Sequence, residues 1–237
     1  MRKKTIQREQ RERNLTADPT SRIRQAILNG QLLPNERLVE QELVNQFQAN
    51  RGAIRLALAV LEQQGLVVRE LNRGARVRTV TESEAIEIME MRAYAESLTA
   101  RHAAARVQPK NVKKLMGMLE EMEDLSAKGD LIGYSTHNVL FHKEISEMSK
   151  HRLAEKILEQ LRSQTVAFQY RPIFEPGRAL QIDSEHRKLV KAIAQKNPDA
   201  AEAAMRLHLD NSVTALKHAI ANNRVLLISA RPRATVS

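Results

Sequence analysis

The sequence contains no cysteine. This excludes disulfides, a thiolate metal site and a thiol nucleophile. No apolar run approaches the roughly 18–20 residues needed to cross a bilayer, so no transmembrane helix is expected. The first residues are charged and no apolar segment follows them, which is not the pattern of a secretory signal. There is no His-Glu-x-x-His signature, no internal repeat and no low-complexity tract. The missing apolar run and signal predict a soluble, cytoplasmic protein with no span in a membrane.

What the chain does carry is positive charge. Its 237 residues hold 38 Lys and Arg against 28 Asp and Glu, a formal net charge of +10. Such an excess suits a polyanionic partner, and by itself leaves DNA, RNA and an anionic membrane surface open. The length allows two domains.

The most patterned stretch runs from Leu38 to Val80. Leu38, Leu43 and Phe47 fall at helical spacing, predicting a helix over Leu38–Gln48. After the break at Gln48-Ala49-Asn50, a second helix is predicted from Arg51 to about Gln64. Ile54, Leu58 and Leu61 share one face of it, and Gly65 stops it. Asn50 suits the N-cap, because its side-chain oxygen can take a free N–H of the first turn. Arg51 and Arg55 lie four residues apart on one face. Leu66–Arg69 and Ala75–Arg78 then read as two strands around the turn Asn72-Arg73-Gly74. Helix, turn, helix and a basic hairpin are the parts of a winged helix-turn-helix. Its second helix can enter the major groove while the wing tip reaches the backbone or minor groove.

Leu33-Pro34-Asn35-Glu36-Arg37-Leu38, Glu42-Leu43, Asn50-Arg51, Ile54-Arg55-Leu56-Ala57-Leu58, Leu61, Gly65-Leu66-Val67 and Gly74 carry a resemblance. Over residues 19–80 the chain resembles the DNA-binding domain of the GntR family of bacterial transcription regulators. The resemblance implies double-stranded operator DNA as partner, met by Arg37, Gln41, Asn50, Arg51, Arg55, Arg73 and Gly74. The chain departs from the family pattern at several points. Asn35 stands where glycine is usual, and Asn tolerates left-handed turns. Asn50 replaces a serine cap. Gly52-Ala53 replaces Thr-Pro, which loosens the first turn of the recognition helix. Gln41 stands where some members have arginine, and Gln pairs with adenine rather than guanine.

The rest of the chain reads as helix. Thr20–Asn29 forms the first helix of the DNA-binding domain, ended by Gly30. Thr81 and Glu84 make a Thr-x-x-Glu capping box. Six helices are then predicted: Thr81–Arg106, Pro109–Lys128, Asp130–Ser149, Arg152–Phe168, Arg178–Gln195, and one capped by Asn197 with Pro198 at its first position, ending near Asn222. Short connections imply an antiparallel bundle. The expected organisation is a mobile basic arm at 1–17, a winged helix-turn-helix at 18–80, a helical bundle at 81–222 and a tail at 223–237. The fold class is mainly α.

Within the bundle, Asn138 and His142 stand four residues apart on one helix face, with His186 and His208 on two later helices. Three imidazoles and one oxygen on inward faces would suit a divalent transition metal; core or surface histidines are the alternative. Here Asn138-Val139-Leu140-Phe141-His142, Ser184-Glu185-His186-Arg187-Lys188-Leu189 and Met205-Arg206-Leu207-His208-Leu209 resemble the three metal-ligand segments of the FCD effector domain, found in the FadR-type branch of the same family. This resemblance covers residues 82–222. It implies Asn138, His142, His186 and His208 as ligands of zinc, nickel or manganese, a small carboxylate effector that completes the metal's shell, and a homodimer. The family most often has Asp at the position of Asn138, and some members have Asn; a neutral amide oxygen is the poorer ligand.

Arg92 is either a bidentate holder of the effector carboxylate or the ion-pair partner of Glu96. His137 and His218 turn off the ligand face, and His102 and His151 are expected to be solvated. Glu144 and Glu185 adjoin the histidines but are turned away by about 100° per residue. The favoured function is a ligand-responsive repressor, not an enzyme. A metal-dependent hydrolase and a charge-driven, non-specific nucleic-acid binder are the alternatives.

Overall fold

In a computed structural model, residues 18–70, 74–165, 168, 172–175 and 177–222 are described. The predicted arm at 1–17, the tail at 223–237 and Arg73 lie outside them. The chain divides into two compact units between Val80 and Thr81.

The first unit opens with α1 (Pro19–Leu28), capped by Asp18, whose carboxylate accepts from the N–H groups of Thr20 and Ser21. Then come β1 (Arg37–Leu38), α2 (Glu40–Phe47), α3 (Arg51–Gln63), β2 (Val67–Glu70) and β3 (Gly74–Val77). The Asn50 side chain caps α3 by accepting from Ala53 N–H at 2.8 Å. Asn35 adopts φ +66°, the left-handed turn that the usual glycine would provide, and Gly65 ends α3 at φ +71°.

Two expectations are corrected here. Leu38 is not helical: it pairs with Ala75 in β1, and α2 starts only at Glu40, after extended Val39. The wing is therefore three-stranded, in the order β1-β3-β2, with both pairings antiparallel. Leu38 is still buried, but as the inward residue of an exposed-buried strand pair. The unit's core joins Ile23, Leu43, Phe47, Ile54, Leu58 and Leu61 to Val67 and Val77 of the sheet.

The second unit is all helix: α4 (Glu82–Arg106), α5 (Pro109–Ala127), α6 (Leu131–Ser149), α7 (Arg152–Gln164), a 3-10 turn at Pro172–Phe174, α8 (Arg178–Ala194) and α9 (Pro198–Ala221). Thr81, Asp130 and Asn197 cap α4, α6 and α9 through side-chain oxygens. The third helix after α4 is shorter than predicted, closing at Gln164 with Thr165 as its cap; its last N–H bonds to Arg162. His151 is not simply solvated: its Nδ1 caps α7 by accepting from Ala154 N–H. Central α4 packs against α6, α7, α8 and α9. Its inward face is lined with alanines (Ala93, Ala100, Ala103, Ala104), whose small side chains admit close helix approach. Phe141, Ile145, Leu189 and Met205 fill the space around them. Every helix facing α4 thus brings one flank to a shared axis, where its polar residues must find partners.

Candidate functional site

His142 sits on α6, His186 on α8 and His208 on α9, respectively 3%, 0% and 1% exposed. Their ring nitrogens lie within 4.8 Å of one another. Ring centroids are 5.1 Å apart for His142 and His208, 5.4 Å for His142 and His186, and 4.5 Å for His186 and His208. Three buried imidazoles cannot approach so closely if charged. Burial pushes the His142 pKa down to about 4 and that of His186 well below its usual value, and the neighbouring imidazoles add to this. Neutral rings offer lone pairs.

The outer nitrogens of two of these rings are fixed. His142 Nδ1 lies 2.6 Å from Glu96 Oε2, and His208 Nδ1 lies 2.7 Å from Glu185 Oε2. Burial would raise both carboxyl pKa values, but their partners outweigh it. Arg162, then Arg92 and His142, hold Glu96 well below the usual range. Hydrogen bonds from His208 and Arg178 bring Glu185 to about 2. An ionised carboxylate only accepts, so each Nδ1 donates and each Nε2 keeps its lone pair. This carboxylate–imidazole pairing is the arrangement that orients histidine ligands around a metal.

The remaining two predicted ligands have unsatisfied atoms. Both ring nitrogens of His186 are buried without a hydrogen-bond partner, and so is Asn138 Oδ1, one turn before His142 on α6. Ser146 Oγ, one turn after His142, is likewise unpartnered. An unmade buried hydrogen bond costs about 1–3 kcal/mol, so a row of them marks a place where something else completes the bonding. Three imidazoles and one amide oxygen fit a divalent transition metal: nitrogen-rich, with no thiolate.

Arg92 points its guanidinium at Glu96, with Nε 3.0 Å and Nη2 2.9 Å from Oε1. Arg162 meets the same carboxylate, Nη2 lying 3.1 Å from Oε2. On the other side, Arg178 is 3% exposed. It donates to Glu185 Oε1 at 2.8 Å and to Ser212 Oγ at 2.9 Å. Sequence reasoning missed Arg162, Arg178 and the role of Glu185. The rotation that turns Glu185 away from His186 aims it at His208 on the next helix. Glu144 pairs instead with Lys114, and His137 bonds the carbonyl of Gly133.

The first unit presents its cations on an exposed face. Arg51 Nη2 donates to Gln41 Oε1 at 2.6 Å, tying the start of α3 to α2. Arg55, with 68% of its side chain exposed, pairs with Glu40 at 2.9 Å. Arg69 donates to the carbonyl of Arg55 at 3.0 Å. Arg37 is exposed on β1, and Gly74 opens β3 at φ +83°, a conformation suited to glycine. Leu56, beside Arg55, is 65% exposed.

Comparison with known proteins agrees across both units. Residues 20–77 match the family described as "Bacterial regulatory proteins, gntR family", and residues 87–211 match the FCD domain. The chain is 26% identical over 204 residues to the uncharacterized HTH-type transcriptional regulator YdhC of Bacillus subtilis, covering 84% of this chain and 90% of that protein. It is 29% identical to the HTH-type transcriptional repressor NanR of Citrobacter rodentium, over 81% of this chain and 78% of that one. In fold it is similar to the structure of E. coli McbR/YncC, with a TM-score of 0.70 and 19% identity over 86% of this chain and 97% of that one.

Proposed function

As the chain belongs to the gntR family of bacterial regulatory proteins and carries an FCD domain, its relatives being transcription regulators and not enzymes, we propose that it is a metal-dependent, ligand-responsive repressor. The N-terminal unit binds operator DNA as half of a homodimer, whose symmetry matches a palindromic site. The helical unit holds a divalent metal through His142, His186, His208 and Asn138. A bound metal would supply a cationic anchor for the carboxylate of a small organic acid.

One observation carries the metal reading: both nitrogens of His186 and the amide oxygen of Asn138 are buried with no partner, beside two imidazoles oriented by carboxylates. Glu96 and Glu185 keep the His142 and His208 rings in one tautomer. Arg92, Arg162 and Arg178 keep those carboxylates ionised. Arg92, engaged with Glu96, positions His142 and stands near enough to feel an anion arriving there. Effector binding shifts the population of DNA-binding arrangements by its differential affinity for them.

On the DNA side, Arg51 and Arg55 read or clamp the groove, Asn50 fixes the helix start, and Arg37, Gln41, Gly74 and Arg73 contribute flanking contacts. The Arg51–Gln41 and Arg55–Glu40 bonds hold these cations in place until base or phosphate acceptors replace them. Fluorescence anisotropy with duplexes from upstream of the chain's own locus tests this. Arg51→Ala should lose about 1–3 kcal/mol of specific binding. Undiminished affinity, or equal binding of random duplex by the wild type, would contradict it.

A further inference from the structure

The charges buried around the histidine cluster do not cancel. Arg92, Arg162 and Arg178 have side chains 13%, 15% and 3% exposed. Two carboxylates face them, Glu96 at 1% and Glu185 at 12%. Each carboxylate is spoken for, Glu96 by two guanidinium groups and His142, Glu185 by Arg178, Asn211 and His208. A histidine that ligates a metal does so as the neutral ring, and Asn138 brings no charge. Among the described residues the side chains around a loaded cluster therefore hold one more cation than anion, the metal not counted.

Asp183, one turn before His186 on α8, is a further carboxylate that could cancel that excess. It is partly exposed, accepts from the Tyr134 hydroxyl at 2.6 Å, and responds chiefly to burial, to Tyr134, and to Glu123 and Arg187. It belongs to a neighbouring group that reaches solvent. Counting it or leaving it out changes the sum by one. A divalent ion adds two, so the loaded centre carries two or three uncompensated positive charges. A monocarboxylate leaves at least one of them buried, and uncompensated buried charge is strongly unfavourable.

We infer that the effector is a multiply charged anion, a di- or tricarboxylate of small size, and that the neutral Asn138 sets this preference. The inference rests on the metal reading above. With a carboxylate at position 138 the protein itself would supply one negative charge. With Asn138 the ligand must bring it. The second carboxylate of the effector does the work that a side chain would otherwise do, and the guanidinium side of the cluster is where it is drawn.

The test compares monocarboxylates with di- and tricarboxylates on full-length protein. Protein is loaded with zinc and its metal content measured. It is then titrated calorimetrically with butyrate, succinate, lactate, malate and citrate. Succinate should bind at least tenfold more tightly than butyrate, and malate than lactate. Asn138→Asp, at the same zinc content, should narrow both gaps. Equal or tighter binding of the monoanions, or no response to any acid at full zinc occupancy, overturns the inference. Protein that retains no zinc contradicts the metal reading instead. The same titrations on that protein should then show no preference for the dianions, because at most one positive charge is left uncompensated; a dianion preference kept without metal refutes the charge argument.

Discussion

Glu96→Gln is the substitution whose consequence is most sharply set by the structure. The side chain keeps its size, so packing against α6 and α7 is preserved. What goes is one negative charge, 1% exposed, that faces the guanidinium groups of Arg92 and Arg162 and the imidazole of His142. Removing one partner of a buried ion pair costs about 3–5 kcal/mol, because the other charge is left without compensation. Here two guanidinium groups are left, which argues for the upper part of that range. Denaturant unfolding of metal-free protein, followed by circular dichroism, reads the helical unit. It should lose about 4 kcal/mol, while Glu96→Gln combined with Arg162→Met recovers part of that loss. Zinc affinity should fall by about 10–100-fold, the usual cost of removing the partner that orients a histidine ligand. A loss of stability under 1 kcal/mol, or unchanged zinc affinity, would refute the claim that Glu96 organises this side of the cluster.

Two further outcomes are expected. Metal-free protein should lose stability as pH falls from about 6.5 towards 4. The folded His142 pKa is held down at about 4 by burial, so the unfolded chain takes up that proton first. The His142 contribution, on the order of 3 kcal/mol, is complete above pH 6.5 and lost below pH 4. Glu185, held at about 2, acts in the same direction between pH 4.5 and 2. A stability profile flat between pH 7 and 4 would contradict the buried, neutral His142. In the first unit, Leu58→Ala should cost about 2–5 kcal/mol in thermal unfolding, since Leu58 is 2% exposed within that unit's core. A loss under 1 kcal/mol would mean that this core is looser than described.

How much of this was legible in the sequence depends on how far each interaction reaches along the chain. Caps were legible: Asn50, Thr81 and Asn197 bond backbone groups three residues away, and such bonds depend on local residue type alone. The left-handed turn at Asn35 followed from the same kind of reasoning. Leu38 was misread because its spacing to Leu43 and Phe47 suits a helix, while its true partner, Ala75, comes from a distant strand. Periodicity reports which face is buried, not which element buries it.

The histidines of the cluster stood out by residue type and by resemblance, and the structure brings His142, His186 and His208 together. Their partners did not stand out. Glu96 was visible only as the neighbour of Arg92 four residues before it, yet its decisive contact, His142, lies 46 residues on. Arg162 and Arg178 had no sequence signal beyond being basic residues on amphipathic helices. Their burial exists only once α7, α8 and α9 close around α4. Position 138 is the converse case: an asparagine plain in the sequence, whose meaning depends on a charge balance that only the folded cluster defines.

Elemental analysis of purified wild-type protein beside His186→Ala is the most direct measurement of the central claim. The account predicts one equivalent of a divalent transition metal in the wild type, absent from the variant, with the helical content of the two unchanged. No metal in either protein, even after exposure to zinc, nickel and manganese, would contradict it.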